Sequence, residues 1–167
     1  MVGKRKKKTM SDDFKPGSLF YYMPLLRDKK ALRDALSPEF KGSPMYDYAN
    51  EMLNSVIGTY VSINLYYPAL EFAIEYSGRD KVQKLALTGV EFYMNSGQNG
   101  LAAETGNLAV DYFVKKKEYY GAVDIALKFD RELAEKVANI AIIKYQRRGL
   151  ASHANAIKRL MNEREVD

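Results

Sequence analysis

Apolar residues recur along the chain at intervals of three and four, and no stretch alternates as a strand would, so the pattern predicts helices throughout. Pro24 sits where a first helical turn begins, with Leu25, Leu26, Leu32, Ala35 and Leu36 on one side, and Ser37-Pro38 stops it. Pro38–Pro44 reads as a linker. Ser43 is then a good N-cap and Pro44 a good first residue for the next helix, whose stripe is Met45, Tyr48, Ala49, Met52, Leu53, Val56, Ile57 and Tyr60.

Met52–Leu70 holds 19 residues without a charge, the length of a membrane span. Asn54, Ser55, Thr59, Ser62, Asn64 and Pro68 interrupt it, and unsatisfied polar groups in a bilayer cost several kcal/mol each. We therefore expect no membrane span, but one buried helix ending near Ser62 and another starting near Pro68.

From Tyr66 the chain repeats. Tyr66-Tyr67-Pro68-Ala69 returns as Tyr119-Tyr120-Gly121-Ala122, and Ala73 and Tyr76 match Ala126 and Phe129 at the same offset of 53. One residue is then lost. Lys84, Ala86, Tyr93, Gly97, Ala102 and Leu108 pair at 52 with Lys136, Ala138, Tyr145, Gly149, Ala154 and Leu160. Each copy (units about 66–115 and 118–164) predicts three helices, over 66–77, 80–96 and 99–115, then 118–129, 131–148 and 150–164. Gly78, Gly97 and Gly149 stand one past helix ends, where a left-handed residue closes the last turn. Short connections imply antiparallel neighbours.

The expected fold is all-α: a right-handed antiparallel helical stack of seven to eight helices, α-solenoid-like, with a tandem three-helix repeat. Three regions follow: a basic tail over 1–17, an N-terminal helix and linker over 18–42, and a helical-repeat domain over 43–167. Tyr93-x3-Gly97-x4-Ala102 and Tyr145-x3-Gly149-x4-Ala154 carry a resemblance over about 80–164. Their spacing is similar to that of tetratricopeptide-like helical hairpins, here in a unit of 52–53 residues instead of about 34. In that family the Gly makes the tight turn and the Ala admits the second helix. The resemblance implies a scaffold that binds other proteins.

Charge narrows the reading. The formal charge is +5, and residues 1–10 alone carry Lys4, Arg5, Lys6, Lys7 and Lys8 with no acid, so residues 11–167 sum to zero. Met1–Gly17 is polar, ends in Pro16-Gly17, lacks the apolar run of a signal peptide and is expected to be disordered. A second basic cluster, Lys144, Arg147, Arg148, Lys158, Arg159 and Arg164, lies near the C-terminus. The tail with Arg147, Arg148, Lys158 and Arg159 forms the candidate contact for nucleic acid or another anionic partner.

Chemistry is sparse. With no Cys and one His, thiolate and multi-histidine metal sites are excluded. His153 follows Ser152, but no acid–nucleophile constellation surrounds it, and it reads as an exposed or capping residue. Glu71 and Glu75, with Asp124 as the counterpart of Glu71, fit a solvated helix face. Asn95–Gly100 lacks the Lys and the preceding strand of a phosphate loop and reads as a turn. No catalytic residue, metal or cofactor is expected. Thirteen tyrosines include the pairs Tyr66-Tyr67 and Tyr119-Tyr120, the latter following Lys115-Lys116-Lys117-Glu118. These four tyrosines are the candidates for binding a partner. The expectation is a non-enzymatic helical-repeat adaptor, cytoplasmic (or nuclear in a eukaryote, from Lys4–Lys8); the alternative is a basic RNA- or ribonucleoprotein-associated protein.

Overall fold

A computed structural model describes residues 29–163, all of whose regular structure is helical. The basic tail and the start of the helix predicted at Pro24 lie outside the described residues, as does Arg164. The helices are α1 (Lys29–Ala35), α2 (Pro44–Ser62), α3 (Tyr66–Tyr76), α4 (Arg79–Asn95), α5 (Asn99–Lys115), α6 (Tyr119–Phe129), α7 (Arg131–Arg147) and α8 (Ala151–Glu163), with a 3-10 turn at Pro38–Phe40. No helix among the described residues is long and apolar enough to cross a membrane.

The chain divides into two compact units, residues 1–59 and 60–167, and the division falls inside α2. In the first unit Leu32 and Ala35 of α1 are buried, as are Ala49, Met52, Leu53, Val56 and Ile57 of α2. Ser43 caps α2 as its sequence predicts, its hydroxyl accepting from the Tyr46 N–H at 3.2 Å.

In the second unit each helix packs on its chain neighbours; α3 also reaches α5, α4 reaches α6 and α6 reaches α8. Helix ends fall within one residue of the predicted ones. The lengths run 11, 17 and 17 for α3–α5, then 11, 17 and 13 for α6–α8.

One turn, used four times, sets the antiparallel geometry. An aromatic carbonyl near the helix end (Tyr60, Tyr93, Phe113, Tyr145) accepts from the N–H five residues on (Leu65, Gln98, Glu118, Leu150) at 2.8–2.9 Å. The residue before that donor is left-handed each time: Asn64, Gly97, Lys117 and Gly149, with φ of 62°, 71°, 62° and 70°. This hydrogen bond closes the helix by satisfying an orphaned carbonyl. Glycine takes the conformation freely at 97 and 149, whereas Lys117 takes it against its side chain's preference. Gly78 corrects the sequence reading. Its φ is −76°, and its carbonyl instead starts α4 by accepting from Lys81 and Val82.

Aromatic and small residues fill the core together. Tyr66, Tyr93 and Ala102 form a buried cluster against which Val61 and Phe92 pack. A Cβ on Gly89 would stand 2.6 Å from Tyr66 Cβ, so α3 and α4 approach as closely as glycine allows. Asp130 alone separates α6 from α7 and caps the latter, accepting from the Leu133 N–H at 2.9 Å. On α8 the buried residues are Ala154, Ile157 and Leu160, while Ser152, Asn155, Lys158, Arg159 and Asn162 are exposed.

Candidate functional site

Connections of one to three residues alternate the helix directions. The starts of α4 and α6 therefore gather with the ends of α5 and α7. There a cleft of about 290 Å³ opens, lined by Arg79, Gln83, Lys117, Glu118, Tyr120 and Tyr145 over a floor of Phe113 and Gly121.

Helix geometry sorts the tyrosine pairs. Adjacent residues point about 100° apart, so one of each pair faces the core and the other does not. Tyr66 and Tyr119 are 8% and 3% exposed, which places them inside the protein and removes them as surfaces a partner can reach. Tyr67 is partly buried, and Tyr120, at 50% exposure, stands at the cleft.

Beneath Tyr120, the Tyr119 ring meets Tyr145 edge-on, centroids 5.8 Å apart at 87°. Lys144 meets the hydroxyl edge of the same ring, its Nζ 5.2 Å from the centroid and donating to Tyr119 Oη at 2.8 Å. His153 lies against Tyr145 at 5.2 Å and near the Ser152 hydroxyl at 3.4 Å, an exposed residue as its sequence position suggests.

Glu118 is the carboxylate of the cleft. Its Oε2 lies 3.8 Å from Arg79 Nη1, longer than the 2.7–2.9 Å of a tight charge-assisted bond. Its charge reaches two phenols. Burial is the main cause of the raised Tyr145 pKa, with Tyr119 and Glu118 adding and Arg148 opposing. Tyr112 is raised by burial and then by Glu118, while Lys116 stands 5.9 Å over its ring.

Among the described residues, the sequence-predicted basic residues line different features. Arg147 and Arg148 are exposed at the end of α7, beside this cleft. Lys158 lines a different depression of about 350 Å³ between α7 and α8, with Arg131, Glu135, Asn139, Ile142 and Met161. Arg159 is exposed on α8. Arg79 and Gln83 escaped the sequence reading, for they lie some forty residues from Tyr120 and only packing brings them together. Gln83 is fixed across the helices by its amide, 3.2 Å from Asp124 Oδ2. Among the described residues no group of three or more His, Asp or Glu side chains is placed to hold a metal ion.

No family model, curated protein or solved structure matches this chain.

Proposed function

We propose that this chain is a non-enzymatic adaptor, a short right-handed helical-repeat stack of tetratricopeptide-like hairpins that docks a protein partner at the Tyr120 cleft. The observation that carries the reading is Tyr120 itself: an aromatic half exposed in a concave site, rimmed by cations and backed by a rigid tyrosine pair. Rigid, half-exposed aromatics supply large contact area at low entropic cost, the usual anchor of an interface. The repeat is supported by the matched lengths of the first two helices of each unit, the shared left-handed turns and the edge-on tyrosine pairs Tyr66–Tyr93 and Tyr119–Tyr145.

The test is capture of binding partners by the full chain and by Tyr120→Ala. The adaptor reading expects partners lost with Tyr120→Ala and retained with Tyr67→Ala. Capture unaffected by Tyr120→Ala contradicts it.

A second reading, an RNA-associated protein, draws on the cations that gather at this same end, Lys115, Lys116 and Arg147, together with Lys4–Lys8. It predicts affinity that falls steeply with salt, about 0.7 in log–log slope for each phosphate contacted on a single strand. Deleting residues 1–15 would then remove most of the binding.

A further inference from the structure

We infer that the Tyr120 cleft selects an acidic, extended protein segment, and that Glu118 is an internal stand-in for the ligand's carboxylate, resting against Arg79 until a ligand displaces it. The inference rests on the adaptor reading of this cleft and adds the chemistry of the partner and a built-in competitor.

Charge complementarity is the first argument. Arg79 and Lys117 line the cleft and Arg148 acts on Tyr145 within it, three cations against two carboxylates, Glu118 in the lining and the exposed Asp80 that meets Arg79 Nε at 3.2 Å. Among the described residues no carboxylate pairs with Lys117, so a second acid has a cation waiting.

The way Glu118 is held is the second argument. Its backbone is fixed, the N–H donating to the Phe113 carbonyl at 2.9 Å. Its side chain caps nothing, although the residue occupies the N-cap position of α6. The carboxylate is 35% exposed and its one ion pair is 3.8 Å long. A side chain that neither caps its helix nor binds tightly can leave Arg79 at little cost, an exposed pair contributing little.

Aromatic geometry favours peptide over nucleic acid. Single strands bind by stacking successive bases on free ring faces. Tyr120 is exposed, but Tyr119 is buried and Tyr145 is packed between Tyr119 and His153. One free ring in a cleft of about 290 Å³ suits an apolar or aromatic side chain flanked by acids better than a run of bases.

The experiment is fluorescence anisotropy on the full chain. The probes are a labelled Glu/Gly peptide bearing a single Leu, its Gln/Gly counterpart, and labelled oligouridylate. The variants are Glu118→Gln, Arg79→Gln and Tyr120→Ala, with thermal melting as a check on folding. The Glu peptide is expected to bind and the Gln peptide not. Glu118→Gln should tighten Glu-peptide binding about twofold to fivefold, because the competitor is gone, whereas Arg79→Gln should weaken it about tenfold. Unchanged or weaker binding by a folded Glu118→Gln overturns the inference, as does oligouridylate binding more tightly than the Glu peptide. Failure of the Glu peptide while Tyr120→Ala still abolishes partner capture sinks this inference and leaves the adaptor reading standing. Capture that survives Tyr120→Ala sinks both.

Discussion

Helices α3–α5 and α6–α8 each hold an edge-on tyrosine pair and surround it differently. In the first, Tyr66 and Tyr93 meet edge-on at 6.0 Å and 88°, and Phe92 packs on Tyr66 at 5.4 Å. Tyr93 is 2% exposed; its hydroxyl accepts from the Tyr66 N–H at 3.0 Å and donates to the Asn64 carbonyl at 3.3 Å. In the second, Lys144 stands 52 residues after Phe92 and brings a cation to the Tyr119 hydroxyl instead of a ring. Tyr145, the counterpart of Tyr93, is partly exposed and lines a cleft. One stretch spends its tyrosines on closing the core. The other keeps the same pair as a rigid wall and leaves charge and a free aromatic beside it, which is why we locate function there.

The largest expected effect tests the closeness of that first contact. Gly89→Ala puts a Cβ against Tyr66 Cβ, an atom fixed to the backbone that cannot rotate away. Helix propensity alone would gain about 1 kcal/mol; we expect instead a net loss of about 2–3 kcal/mol, since overpacking dominates. Ala141, the counterpart, already carries its Cβ at 0% exposure. Denaturation midpoints of the two Ala/Gly exchanges check this. A stabilised Gly89→Ala would show that α3 and α4 have room to spare.

The next effect separates the two tyrosine pairs. Tyr93→Phe leaves the Tyr66 N–H, at the start of α3, without its acceptor, and a buried unpaired donor costs about 1–2 kcal/mol. Tyr145→Phe removes a hydroxyl at a partly exposed position and should change stability by no more than about 0.5 kcal/mol. Equal losses from both variants, measured by urea denaturation, would mean the second pair is as closed as the first.

How much of this the sequence discloses depends on the residue. Gly97 and Gly149 announce their turns because glycine is the residue that takes positive φ at no steric cost, and the tyrosine and alanine spacing around them follows. Lys117 announces nothing. Its left-handed turn is imposed by the hydrogen bond from Glu118 to Phe113 and by the helices on either side. The helices themselves are legible from their stripes to within a residue. The cleft is not, because Arg79, Lys117 and Tyr145 come from three places along the chain and meet only after packing. The tyrosine pairs read alike in sequence, yet burial separates Tyr119 from Tyr120.

The smallest effect follows from the same turn. Lys117→Gly should relieve a left-handed backbone that costs about 1–2 kcal/mol for most residues, offset by glycine's greater unfolded-state freedom of about 0.4–1 kcal/mol. The net is a gain of about 0.5 kcal/mol, read as a slightly higher midpoint. Asn64→Gly should gain less, because asparagine tolerates the conformation better.

The most direct test of the account is backbone amide shift mapping of the full chain during titration with the Glu/Gly peptide. We expect saturable shifts at residues 79–83, 117–121 and 144–148, with the equivalent surface around Tyr67 and Phe92 unmoved. Shifts centred on α3 and the end of α4, or spread evenly over every exposed cation, would contradict the assignment of partner binding to the second stretch.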